Sequence, residues 1–522
     1  MDIPSYHQRS KHRLDAYAPG PGRLDWANQP DPWRRFEGAP RVQLPFGADG
    51  VQTHYEDVRQ GLRPPVAALT LPNLAVLFEL SLALSAWKEF QGSRWALRCN
   101  PSSGNLHPTE AYLVAPTLPG LAGGVHHYLS RDHVLEQRTA GGTDWDAAFG
   151  EGAILVALSS IHWREAWKYG MRAYRYCQHD CGHAIAAISV AAAALGWAVR
   201  VIDHASDDDI VRLAGLDRDA DYGDAEREAP DVLLQVGDAA ARVDIDALLA
   251  LAADARWQGQ ANRLSESHVE WRDIDAVAAA VRKPRSAPAA APACPALPAP
   301  AATVRDLSVA TLVRQRRSAV AFDGVTTMSS DAFFAMLDVL LPRSGVPPFD
   351  AWPEAPQVHL AIFAHRVTGL EPGLYLLLRD AAALDEVRAA LREDWLWVKT
   401  GPAHLPLYLL IPYDLRASAE LVSCHQEIAA DSCFALGMLA RFGLAQREAW
   451  RYPQLYRECG MVGHMLYLEA EAAGLRGTGI GCFFDDVMHE LLGLAGDEWQ
   501  SLYHFTVGGP VEDSRLSSLP PY

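Results

Sequence analysis

An internal register match constrains this chain most. Asp180-Cys181-Gly182 sets against Glu458-Cys459-Gly460, and in each copy a further glycine, Gly196 or Gly474, follows fourteen residues later. The match continues in Arg212-Leu-Ala-Gly-Leu216 against Glu490-Leu-Leu-Gly-Leu494, and then in strands ending Val236-Gly237 or Val507-Gly508. A period this long means a tandem duplication of one unit, not a solenoid. A chain of 522 residues has room for both copies. Between them, residues 284–302 are nearly all Ala and Pro, a semi-extended spacer with no means of forming a core. The expected division is an N-terminal arm over 1–65, a first unit over 66–282, a linker over 283–302 and a second unit over 303–522.

Apolar periodicity predicts helices over 74–90, 174–195 and 207–214 in the first unit. In the second it predicts helices over 332–341, 423–442, 455–474 and 487–492. Buried strands are expected at 111–115, 126–129, 153–158 and 231–236, then at 357–364, 373–378, 405–411 and 503–507. Each copy is therefore an α+β unit, a sheet flanked by helices.

The net charge of −18 argues against nucleic acid as a partner, though local basic clusters can still hold an anion. No run of about twenty apolar residues predicts a membrane span. The polar N-terminus predicts no signal peptide. Eight cysteines are too few for a disulfide scaffold in a chain this long. The expected location is the cytoplasm, with Cys294 inert and exposed in the linker. No metal is expected. His179 and His183 share a helix face, but no third ligand sits at a recognised spacing. Cys424-His425 and Cys433 read as a buried helix face. The acidic run at 207–209 and the acidic pair at 485–486 suit helix N-termini.

Residues 100–114, Asn-Pro-Ser-Ser-Gly-Asn-Leu-His-Pro-Thr-Glu-Ala-Tyr-Leu-Val, open as a loop and close as a strand. Small residues permit close approach of a planar heterocycle, and Ser102, Ser103 and Asn105 offer short polar groups to its edge. An ordinary turn before a strand has the same spacing. Elsewhere, Arg316-Arg317-Ser318 suits a phosphate, because guanidinium groups make bidentate, charge-assisted bonds to its oxygens. Gly477, Gly479 and Gly481 let the backbone approach a ring closely. Gly477-x-Gly-x-Gly481 is read as ending a helix, so it is not a dinucleotide fingerprint.

The loop at 101–108, Arg316 to Ser318, residues 477–486 and Lys168-Tyr169-Gly170 occur in an order that resembles the nitroreductase-like flavin oxidoreductases. The closer resemblance is to the SagB/ThcOx-type dehydrogenases. It implies FMN shared between two units, one giving the Arg-Arg-Ser segment, the glycine segment and a distal basic residue, the other the Ser-Ser-x-Asn loop. Each half has lost a different part. The first lacks the glycines; the second has Glu354-Ala-Pro-Gln-Val-His359 where the loop would stand. The expectation is an intrachain pseudo-dimer with one composite FMN site: Ser102, Ser103 and Asn105 with Arg316, Arg317, Ser318, Gly479, Gly481, the Cys482 backbone and Arg515. A reciprocal site would draw on Arg9, Ser10 and Lys11.

By the same resemblance, Lys168 and Tyr169 match a pair that removes a proton while hydride leaves for flavin N5. As plain residues they are a surface lysine and a packing tyrosine. The implied activity is FMN-dependent oxidoreduction of a peptide-derived or small organic substrate. The alternatives are an NAD(P)H-driven reductase of nitro or quinone compounds and a non-catalytic flavin-binding scaffold.

Overall fold

The computed structural model describes residues 2–139, 143–289, 294–302 and 304–522. Among these residues two seven-stranded sheets, antiparallel throughout, organise the molecule. Across the first run Arg41–Gln43, Val134–Gln137, Gly124–Leu129, Thr109–Ala115, Ala153–Ser160, Ala229–Gly237 and Ala198–Val201. Across the second run Val398–Lys399, Leu407–Ile411, Gly373–Leu377, Val358–Ala364, Phe434–Arg441, Trp499–Gly508 and Arg476–Ile480. The copies agree place for place except at one outer edge. There the first sheet takes its strand from the N-terminal residues, and the second from within its own unit.

Two helices, Ala173–Ala194 and Arg451–Ala472, lie between the sheets and pack on each other. Alanine favours the helix and leaves little side-chain bulk between the backbones. The helices meet where the copies align. A Cβ on Gly182 would stand 2.1 Å from the Arg457 carbonyl oxygen, and one on Gly460 would stand 2.2 Å from that of His179. Neither glycine can carry a side chain there without parting the helices. Gly196 (φ 74°) and Gly474 (φ 75°) stop the two helices in the left-handed region that favours glycine. One hydrophobic cluster runs through both units.

Buried ion pairs cross the same boundary. Asp485 accepts from Arg172 at 2.9 Å and Arg175 at 2.6 Å. Glu469 accepts from Arg59 at 2.8 Å and Tyr55 at 2.7 Å. The termini cross too. Ile3–Arg9 docks on the second unit, where the His7 ring meets Tyr452 Oη at 3.2 Å and Gln500 Oε1 at 3.1 Å. Ser517–Leu519 pairs with Leu84–Phe90, and Tyr522 Oη donates to the Ser130 carbonyl at 2.6 Å.

The described residues of the Ala/Pro linker are tied down at both ends. Ser286 N–H donates to the His204 carbonyl at 3.2 Å, and the Pro298 carbonyl accepts from Arg343 at 3.2 Å. Residues 290–293 lie outside the described residues. Cys294 is half-buried, not exposed.

Three segments depart from the periodicity. The expected helix over 74–90 is a helix, Leu71–Ser81, followed by the strand Leu84–Phe90. The strand is recruited by the hairpin partner Ser93–Arg98 and by the C-terminus. The expected helix over 423–442 ends in the strand Phe434–Arg441, covered on both faces and so without alternation. Cys424 (φ 55°) and His425 (φ 57°) sit in the left-handed region and break helical continuity. Gly477 to Ile480 belongs to an edge strand, Arg476–Ile480, rather than to a helix end. No described helix is long and apolar enough to cross a membrane.

Candidate cofactor site between the two units

A cavity of about 590 Å³ opens between the units, bounded on one side by the 100–107 loop and on the other by Arg316–Val320 and the edge strand. Ser102, Ser103, Asn105, Tyr169, Arg316, Arg317, Ser318, Gly479, Gly481 and Cys482 all line it. Lys168 and Arg515 do not.

The loop is held from below. Asp180, on the first long helix, accepts from Ser103 N–H and Ser103 Oγ, both at 2.9 Å. Gly104 and Asn105 adopt φ of 58° and 60°, which bends the loop tightly. Asn105 gives its amide N–H to the Ala96 carbonyl at 2.8 Å, and Ser102 Oγ accepts from His107 N–H at 2.8 Å. Burial lifts Asp180 to about 7, against the opposing bonds from Ser102 and Ser103. Glu458, which aligns with Asp180, does the same for the other copy: it accepts from Gln357 N–H at 3.0 Å, just before a central strand.

Across the cavity Arg316 and Arg317 have no carboxylate partner among the described residues. Arg316 is buried, donates to the Arg98 carbonyl at 3.1 Å, and leaves its Nε without a partner among the described residues. Arg317 donates at 2.7 Å to the carbonyls of Arg314 and Arg316. Burial and then the Arg316 charge pull Arg317 down to about 10. Burial and then Arg317 also lower Lys88. Carbonyl and hydroxyl oxygens accept from Arg316 and Arg317, whereas Arg476 pairs with Glu471 at 3.4 Å and Glu512 at 3.2 Å. Two adjacent guanidinium groups and an orphaned Nε are what a bound phosphate would satisfy.

The edge strand explains its glycines. A Cβ on Gly479 would stand 1.9 Å from Tyr503 Oη, and one on Gly481 would stand 2.4 Å from the Tyr176 ring. Gly479 N–H donates to Tyr467 Oη at 2.9 Å, and Ser318 Oγ bonds the same hydroxyl at 3.0 Å. Backbone and tyrosines thus make a flat floor. His183 meets Tyr503 Oη at 3.2 Å and His179 meets the Leu502 carbonyl at 3.1 Å, so both rings point into hydrogen bonds. No group of three or more metal-ligating side chains gathers among the described residues.

Tyr169 packs edge-on to Tyr176 with ring centroids 4.7 Å apart, and burial pushes its phenol well up. Glu165 beneath it is buried, its oxygens have no partner among the described residues, and its carboxyl is pushed well up by burial. Tyr169 therefore holds its phenolic proton at neutral pH. Lys168 lies over the outer face of the Tyr169 ring at 5.2 Å. Arg515 is on the surface, paired with Asp513 at 2.8 Å.

At the pseudo-equivalent place in the first unit the edge strand is covered, while Leu62, Arg63 and Pro64 line a separate cavity of about 790 Å³ that the edge strand does not reach. His54 pairs with Ser308, so the helices Tyr55–Arg59 and Val309–Gln315 start side by side. Counting on from each start, Leu62-Arg63-Pro64 stands where the other copy has Arg316-Arg317-Ser318. Arg63 is answered by Asp350 at 2.6 Å, and Phe349–Ala351 packs over the edge strand Ala198–Val201. Arg9, Ser10 and Lys11 lie elsewhere. Arg9 bonds Asp273 at 3.0 Å, Ser10 Oγ accepts from Arg175 at 2.9 Å and Lys11 bonds Asp486 at 2.7 Å.

Asp180, Tyr176, Tyr503 and Lys88 escaped the sequence reading. Asp180 had a signal: it is an acidic residue at the register match. The tyrosines and Lys88 had none, because only the fold brings them to the cavity.

Comparison with known proteins adds the family. The nitroreductase family model matches residues 86–223 and 358–509, one stretch in each unit. A candidate nitroreductase from Anabaena variabilis superposes with a TM-score of 0.70 at 21% identity, over 97% of this chain and 99% of that one. The E. coli microcin synthetase McbBCD complex with truncated pro-MccB17 bound aligns at 21% identity over 34% of this chain and 66% of that one, with a TM-score of 0.27. A candidate nitroreductase of Exiguobacterium sibiricum in complex with FMN aligns at 14% identity over 40% of this chain and 92% of that one, with a TM-score of 0.23. No curated protein matches. Since both sheets answer to one family model and the doubled architecture recurs along nearly the whole length of a solved structure, the chain belongs to the nitroreductase family.

Proposed function

We propose that the chain is an FMN-dependent oxidoreductase with one composite flavin site per chain, acting on a peptide-derived or small organic substrate. The observation that carries this is the Arg316–Arg317 pair, without a carboxylate partner among the described residues, at one end of a flat-floored cavity between the units. These guanidinium groups would hold the phosphate, with Ser318 beside them. Ser103 and Asn105, braced by Asp180 and Ala96, would border the ring from the other unit. Bound FMN supplies reversible hydride acceptance at its N5 position.

The residues around it handle position, water and protons. Tyr176, Tyr467 and Tyr503 exclude water from the floor. Tyr169 keeps its phenolic proton, so its hydroxyl serves a substrate as a donor, while Lys168 stands behind the ring as a positioning charge. Asp180, poised near neutrality, can hold or release a proton at the loop. The cover of Phe349–Ala351 over Ala198–Val201 supports a single site.

Flavin extraction and quantification tests this. The expected yield is about one FMN per chain, lowered both by Arg316→Ala and by Ser103→Ala with Asn105→Ala. Each change removes bonds worth roughly 1–3 kcal/mol when one partner is charged. A yield near two, or loss on the arginine side alone, would overturn the shared single site. Anaerobic bleaching by NAD(P)H would identify a nicotinamide-driven reductase instead of a dehydrogenase.

A further inference from the structure

Beside the cavity, two segments distant in sequence bring two thiols together. Phe484 N–H donates to the Val422 carbonyl at 2.9 Å. Gln426 Nε2 donates to the Cys482 carbonyl at 3.0 Å and the Ser423 carbonyl at 2.7 Å. These bonds clamp the turn holding Cys424 against the end of the edge strand. The clamp brings the Cys424 and Cys482 side chains close enough to interact, with His12, paired to Phe484, and Arg172, which donates to the Gly481 carbonyl at 3.1 Å, beside them. His12 Nδ1 accepts from Ala18 N–H at 3.0 Å. Both cysteines are half-exposed, whereas Cys99, Cys177, Cys181, Cys433 and Cys459 are buried with their thiols pushed up.

We propose that Cys482 and Cys424 form a thiol–disulfide exchange site, with Cys482 the attacking sulfur and Cys424 the resolving one, that takes small-molecule disulfides. The division of labour follows from the pair. Cys424, then His12 and Arg172, hold the Cys482 thiol down, while Cys482 pushes Cys424 up. The other titratable groups facing the pair are Tyr17, Tyr169, Tyr176 and Asp485. A thiolate held by a cation and a hydrogen-bond donor, with a second thiol in contact, has what exchange needs.

The step balances. The Cys482 thiolate attacks one sulfur of the disulfide; its S–S bond breaks, a mixed disulfide forms and one thiolate leaves. Cys424 gives its proton to solvent and attacks the Cys482 sulfur. The Cys424–Cys482 bond forms and the second thiol departs. Two protein thiols are oxidised and one small disulfide is reduced to two thiols. That bond would tie the Cys424 turn to the cavity wall. The proposal does not depend on the cofactor assigned above, so failure of flavin incorporation leaves it standing.

Oxidised glutathione is the probe, added to the reduced full-length protein. The expected result is release of two glutathione molecules per chain with no adduct retained, and an intact mass lower by two hydrogens. Cys424→Ser should instead keep one glutathione on Cys482, located by peptide mapping. A second measurement needs no variant: at slightly acidic pH, iodoacetamide should alkylate Cys482 in the native protein at least about tenfold faster than Cys294 or Cys424. A stable adduct on the wild-type chain, exchange as fast in Cys482→Ser, or alkylation that favours Cys294 would overturn the proposal.

Discussion

Asp180 shows how one buried carboxyl ties the duplication to the site. It braces the loop through Ser103, and burial raises it from an ordinary 3.8 to about 7. The folded state therefore binds this proton more tightly than the unfolded chain. Its contribution to stability is complete below about pH 4 and is lost as pH rises towards 7, at about 1.4 kcal/mol per unit. The stability difference between wild type and Asp180→Asn, measured by urea unfolding across that range, should carry this slope; a flat difference would refute it. Gly479 makes a second case. Its missing Cβ is the space occupied by Tyr503 Oη, so Gly479→Ala should destabilise by about 1–3 kcal/mol. Tyr503→Phe should recover part of that loss. No recovery would mean that the backbone, not the hydroxyl, sets the limit.

The decisive element is the pair of long helices. Their crossing needs Gly182 and Gly460 together, since each would-be Cβ meets a carbonyl oxygen of the other helix. Gly460→Ala should therefore part the helices. Because both helices line the cavity, through Asp180 and Tyr467, thermal midpoint and flavin retention should fall together. A variant that lost stability yet kept full flavin would separate the crossing from the site. The strands Leu84–Phe90 and Phe434–Arg441 teach the opposite lesson. Their sequences read as continuations of a helix, and hydrogen-bonded neighbours far away in the chain decide that they become strands.

At the scale of the whole molecule, the halves behave as subunits joined by a strap. The helix crossing, the Arg59–Glu469 and Arg172–Asp485 pairs and the exchanged termini all cross between them. Residues 1–289 and 294–522, co-expressed as separate chains, should copurify and retain FMN, whereas neither should retain it alone. Failure to associate would give the linker a structural role beyond tethering. The sequence by itself determined the duplication, its register and the order of the motifs, because glycines at a helix crossing and at two left-handed caps are demanded locally and recur at matching positions. It also offered Ser102, Ser103, Asn105 and Arg316 to Ser318 as one set, through the order of motifs that resembles the family. Only the tertiary structure decided that Leu62–Pro64, not Arg9–Lys11, is the counterpart of Arg316–Ser318. It alone put Arg515 on the surface, and set Cys424 against Cys482. Those outcomes rest on contacts between residues far apart in the chain, and a local pattern carries no trace of which distant backbone will fill the space beside it.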